Sequence, residues 1–185
     1  MYGIINQAIQ QLVIKDYGEE YWLGVIQKSG IDVFEFRNHE SYDDKYTYLL
    51  ASTLANQLNT DIASILRKLG EFWILDISLK KYPAMMAAGG QNFSEFLLNL
   101  PKFHNRVYLS YPDLIAPEFK ITKKSDCFEV EYHSQREGLT HLMEGMLQGI
   151  IKMFGEKNVT VKIGYTRLNS SHDHDLFIIK WNGYE

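Results

Sequence analysis

His104 is the residue whose chemistry makes the largest demand on its surroundings. Phe93, Phe96, Leu97, Leu100, His104 and Val107 recur at helical spacing, so the imidazole points with its apolar neighbours toward the interior. Burial disfavours the imidazolium and leaves a neutral ring with one bare nitrogen lone pair. That lone pair either accepts a hydrogen bond, which is the commoner solution, or coordinates a metal. A second set lies in "YHSQR". In an extended strand Tyr132, Ser134 and Arg136 share one face, presenting a phenol, a hydroxyl and a guanidinium. All three donate hydrogen bonds, and Arg136 can grip a carboxylate with two at once. On spacing alone, the same pattern also describes a solvated sheet face.

The elements that must position these groups are legible in the periodicity. Ile4, Ile5, Ala8, Ile9, Leu12 and Val13 predict a first helix, and Tyr21, Trp22, Val25 and Ile26 a second that stops at Gly30. After a loop through "DVFEFRNHESYDD", Leu49, Leu50, Leu54 and Leu58 line a third. Ile62, Ile65, Leu66, Leu69 and Trp73 line a fourth, with Thr60 as its expected N-cap. A short helix in "KKYPAMMAAGGQ" precedes the helix carrying His104, which Asn92 and Glu95 open as a variant capping box. From residue 118 the period changes to two. "EFKITKKSDCFEVEYHSQ" predicts one strand pair, and "NVTVKIGYTR" with "DLFIIKWN" predicts another. Between the pairs, Leu139, Leu142, Met143, Met146, Leu147, Ile150, Ile151 and Phe154 mark the clearest amphipathic helix. The expected class is α+β, a helical N-terminal part packed with a four-stranded antiparallel sheet and an embedded helix.

Composition excludes several functions. The 185 residues are 45% hydrophobic, enough for one substantial core, so residues 1–185 are expected to form a single domain. A net charge of -4, with Lys and Arg dispersed, gives no footprint for nucleic acid or an anionic membrane. Cys127 is the sole cysteine, which rules out an intrachain disulfide, a thiolate zinc cluster and a thioether-attached haem. The start lacks a basic n-region and a membrane-length apolar run, and a cytoplasmic protein is expected. No Gly-rich phosphate loop or nucleophile elbow is present, and no enzymatic activity is expected.

An axial imidazole and a donor triad for two propionates are the two anchors that a b-type haem needs in an apolar pocket. Here the sequence resembles the haem-nitric oxide/oxygen binding (H-NOX) family. The resemblance rests on "MYGIIN", "YGEEYW", "FH" followed by "YPDLIAPEF", Tyr132-x-Ser134-x-Arg136 and "DHDLFIIK", and extends over essentially the whole chain. It is nearest the sensor domain of the soluble guanylate cyclase β subunit and bacterial stand-alone domains.

The resemblance implies haem b between the helical part and the sheet, with His104 as proximal iron ligand. It implies Tyr132, Ser134 and Arg136 as the propionate clamp, and Pro117 pressed against the porphyrin. Ile5, Ile9, Trp73, Leu142 and Met146 are the implied distal residues. Oxygen-holding members carry a tyrosine where this chain has Leu142, so the resemblance implies a sensor of nitric oxide, binding carbon monoxide too, that resists oxygen. Loss of the iron–imidazole bond would then free the His104 helix. The signal would pass to a separate protein: a histidine kinase, a diguanylate cyclase or a cyclase-type effector. Pro101 replaces an acidic residue common in the family and is expected to kink that helix.

Three rivals stay open: an oxygen sensor using another distal donor such as Trp73, a peroxidase-type haem enzyme, and a haem-free apolar ligand-binding or interaction domain in which His104 is merely hydrogen-bonded. The second needs a distal acid or base, and His141, beside Leu142, is expected to face away. "SSHDHD" is expected to be a polar hairpin turn rather than a metal site. Asp43, Asp44, Glu19 and Glu20 are expected to be helix-start charges.

Overall fold

The computed structural model describes residues 1–110 and 115–181, the side chains of 108–110 excepted. Residues 111–114 of the "YPDLIAPEF" motif, and Asn182 at the end of the last predicted strand, therefore lie outside the described residues. Helices α1 (Gly3–Tyr17), α2 (Glu19–Ser29), α3 (Asp44–Gln57) and α4 (Ile62–Phe72) come first. α4 runs on into a π-helical segment, Trp73–Ser78, followed by α5 (Leu79–Lys81), α6 (Pro83–Ala87) and α7 (Phe93–Ser110). Strands β1 (Glu118–Lys123) and β2 (Cys127–His133) are separated by α8 (Thr140–Met153) from β3 (Val159–Tyr165) and β4 (Asp175–Trp181). The sheet is antiparallel, in the order β1-β2-β4-β3, so α8 connects two hairpins joined along β2 and β4. Among the described residues no helix is long and apolar enough to cross a membrane.

Local chemistry sets most boundaries. Asp43 caps α3 by accepting the Lys45 amide at 2.9 Å, and Gly30 ends α2 at φ 67°, in the left-handed region where a Cβ is costly. The predicted Thr60 cap is corrected: Asp61 caps α4, its carboxylate accepting both the Ser64 amide and hydroxyl at 2.8 Å, so the helix starts one residue later. At α7, Asn92 accepts the Glu95 amide at 2.9 Å while Glu95 accepts the Gln91 amide at 3.0 Å. α7 is continuous through Pro101, which lacks the N–H that would bond to the Leu97 carbonyl.

Two cores result. The first joins α1 to α4 with Leu139 and Leu142, and the second joins the sheet, α7 and most of α8. Trp73 and Met146 pack against both. α4 and α8 cross at contact distance because both carry glycines there. A Cβ on Gly70 would lie 2.7 Å from the Met146 amide nitrogen, and one on Gly145 would lie 2.7 Å from the Arg67 carbonyl carbon.

Candidate functional site

Between the two cores lies a cavity of about 230 Å³, lined mostly by apolar side chains. It exceeds the roughly 150 Å³ that suffices to hold benzene in an engineered apolar cavity. His104 borders it from α7, and no other histidine among the described residues does. Its Nδ1 lies 3.3 Å from the Leu100 carbonyl. A carbonyl can only accept, so Nδ1 carries the proton and Nε2 keeps the lone pair. Burial pushes the His104 pKa down, opposed by the Leu100 bond, so the ring is held neutral, the form that ligates a metal. The Phe119 ring, centroid 4.7 Å away, and the Phe103 ring at 5.7 Å fix its orientation. Pro117 lines the same wall, two residues before Phe119.

Tyr132, Ser134 and Arg136 all reach the cavity, but not as one strand face. β2 ends at His133, and Ser134 to Arg136 form a bend in which the Arg136 amide donates to Ser134 Oγ at 3.1 Å. Tyr132 alone is positioned by strand alternation. It is 7% exposed, and burial raises its pKa, so it is a neutral hydroxyl donor. Arg136 is anchored from two directions: Nε donates to Asp44 at 2.9 Å and a terminal nitrogen donates to the Ile115 carbonyl at 3.0 Å. Three of its five N–H donors are not used in those bonds.

The bend itself is braced by residues that the sequence did not single out. Arg167 donates to the carbonyls of both Ser134 and Arg136. Its own amide donates to Asp175 at 2.8 Å, and Asp175, 3% exposed, also accepts from Thr140 at 2.6 Å. Asp44, expected only as a helix-start charge, also receives the Met1 ammonium. No periodic signal marks Arg167, which lies in the turn after β3. Asp175 is an acid at the head of an apolar strand, and that much was visible.

Ile5, Trp73, Leu142 and Met146 line the opposite wall. Ile9 does not: it is 1% exposed inside the helical core. The expected pairing with Ile5 fails because helical spacing identifies a face but not an end, and only the N-terminal turn of α1 borders the cavity. The π-helical turn sets Trp73 and Ser78, five residues apart, on the cavity side. Ser78, Tyr2 and Tyr82 are hydroxyl-bearing lining residues absent from the sequence expectation. His141 lies away from the cavity, with Nδ1 3.1 Å from Arg67 and 2.9 Å from Glu144.

This arrangement suits a flat apolar macrocycle with two carboxylates. One neutral imidazole offers a lone pair, and donors gather at Tyr132, Ser134 and Arg136. The haem site is therefore tested by its donor set, and the residues present fit. A model of the haem-NO-binding family matches residues 2–163. The soluble guanylate cyclase gcy-34 of Caenorhabditis elegans is 27% identical over 97% of this chain, which spans 28% of that protein's length. The rat guanylate cyclase soluble subunit beta-2 is 31% identical over 54% of the chain and 15% of its own length. An H-NOX protein from S. oneidensis in the Fe(II)NO state superposes with a TM-score of 0.87 at 19% identity, covering 99% of this chain and 100% of its own. An oxygen-binding H-NOX domain related to soluble guanylate cyclases does so at 0.78 and 19%, covering 99% and 96%. Nitric oxide and oxygen binders thus share this fold. With the family model matching nearly its whole length and the fold in agreement, the chain belongs to the haem-NO-binding (H-NOX) family, whose members are haem-binding gas-sensor domains and not catalytic ones.

Proposed function

We propose that residues 1–185 act as one unit, a nitric oxide sensor built on haem b that also takes carbon monoxide and excludes oxygen. When bound, haem would supply a ferrous iron able to take up a diatomic gas. His104 would hold the iron through Nε2, and Tyr132, Ser134 and Arg136 would hold the propionates. The lack of a C-x-x-C-H sequence supports haem b, which is held without thioether bonds.

The observation that carries the gas assignment is Leu142, 6% exposed in the cavity wall. Bound oxygen gains partial negative charge and needs a donor, whereas nitric oxide binds ferrous iron tightly without one. Leu142 and Met146 offer none. Absorption spectra of the anaerobically reduced protein, then in air, then with nitric oxide, test the reading. A five-coordinate spectrum that ignores air and shifts with nitric oxide supports it; a stable change in air makes Trp73 or a cavity hydroxyl the donor and the protein an oxygen sensor.

Leu142→Tyr is expected to introduce the missing donor. A hydrogen bond to a charged acceptor contributes about 1.5–3 kcal/mol, so oxygen affinity should rise about 10- to 150-fold, measured by air titration of the reduced protein. Arg167→Leu removes the brace behind the clamp. It should speed haem loss to a scavenging apoprotein about tenfold while leaving the His104-dependent absorption unchanged.

His104 is rigidly tied to α7 through Leu100, so movement of the imidazole is movement of the helix. α7 rests on β1, and its outer face is the route by which the unit signals to a separate effector: a histidine kinase, a diguanylate cyclase or a cyclase-type protein. A cytoplasmic location suits a chain with one cysteine and no described membrane-length helix.

A further inference from the structure

β2 carries chemistry on both faces. Val130 and Tyr132 are buried, so Glu131 and His133, alternating with them, stand on the opposite face of the sheet, away from the haem cavity. His174 immediately precedes β4, and the antiparallel register that pairs Tyr132 with Asp175 brings His174 opposite His133. The two imidazole centroids are 4.5 Å apart. Glu131 Oε2 is 3.8 Å from Nε2 of each ring. Three candidate ligand atoms, one from each residue, all lie within 4.8 Å of one another. Tetrahedral zinc with bonds of about 2.0–2.1 Å needs neighbouring ligands roughly 3.4 Å apart, so small rotations about the side-chain torsions close the set.

The surrounding groups already aim these atoms. Asp173 Oδ1 lies 2.9 Å from His174 Nδ1 and, as a carboxylate, accepts its proton, which leaves Nε2 as the lone-pair nitrogen. Carboxylate–histidine pairs of this kind orient ligating imidazoles in metal sites. Lys120 donates to Glu131 Oε1 at 2.8 Å and so leaves Oε2 turned to the histidines. The Tyr165 hydroxyl, 2.7 Å from His174 Nε2, donates its proton into the place a cation would take. His172 is exposed and stacked on Tyr165, centroids 4.3 Å apart, outside the set.

We infer that Glu131, His133 and His174 form a second metal site, for a borderline divalent transition ion of the zinc class, with its fourth position open beside Tyr165. Two imidazoles and one carboxylate suit zinc and its neighbours and do not suit calcium or magnesium, which require an oxygen shell. The site clips β2 to the head of β4 where the chain turns from Tyr132 toward Ser134 and Arg136.

Zinc chloride titrated calorimetrically into the purified haem-loaded protein tests this. Saturable binding of one zinc per chain is expected, weakened on the order of 100-fold by His133→Ala or His174→Ala, about tenfold by Asp173→Asn, and unchanged by His172→Ala. Circular dichroism of each variant checks that it is folded. Absence of saturable binding in the wild type, or binding of equal affinity in a folded His133→Ala/His174→Ala double variant, overturns the site and leaves only adventitious surface binding.

Discussion

His104→Gly is expected to purify without the absorption band of five-coordinate haem, and millimolar imidazole should restore it. The substitution opens space for a free imidazole in the place where the ring stands between Phe119 and Phe103. Loss of an outer partner of a metal ligand typically costs 10- to 100-fold in affinity, so removal of the ligand itself should exceed that. Glycine inside α7 also costs about 1 kcal/mol of helix stability. His104→Ala carries less of that penalty and should lose haem equally, which separates ligation from unfolding. Equal haem content in wild type and both variants would return His104 to an ordinary hydrogen-bonded core residue.

Gly145→Ala is expected to produce the largest loss of stability. A Cβ there would lie 2.8 Å from the Cα of Arg67 as well as against its carbonyl, and backbone cannot rotate aside as a side chain can. The two helices must separate. Overpacking of this kind, at the upper end of about 3 kcal/mol, leaves about 2 kcal/mol after alanine's helix preference is subtracted, which predicts a fall in Tm of roughly 4–8 °C. Gly24→Ala is the matched control: its Cβ would have nothing within 4 Å, so α2 should gain up to about 1 kcal/mol. Thermal unfolding of the two variants side by side should give opposite signs. A Gly145→Ala protein as stable as wild type would mean that α4 and α8 do not cross this closely.

Much of this was written in single residues and short periods. His104 stood out because one imidazole interrupts an apolar stripe, and the strand pairs because their period is two. Tyr132, Ser134 and Arg136 do come together at the cavity, although not as one strand face: the expected strand stops at His133, and a side chain-to-backbone turn does the remaining work. Ile9 was misplaced because periodicity is blind to where along a helix a cavity lies. The π-helical turn at Trp73–Ser78 left no mark, since no glycine or proline interrupts it and its mixed residues, WILDIS, suit an α-helix equally well. Least legible were the long-range partners. Asp44 and Arg136 are 92 positions apart, and nothing local distinguishes an aspartate that starts a helix from one that also holds an arginine. Glu131, His133 and His174 are hidden for the same reason: "SSHDHD" shows its histidines only to one another, and the cluster forms between β2 and the residue that precedes β4.

The division into two separately filled cores has a kinetic side. Each core is closed by its own contacts, and Trp73 and Met146 are shared between them. A porphyrin seated between the cores, as proposed, would enter by parting the seam while both halves stay folded, a sub-global opening of lower free energy than unfolding. Loading and escape of that guest would then share one opening step. Arg136, pinned to α3 on one side and to Ile115 on the other, is the latch across it.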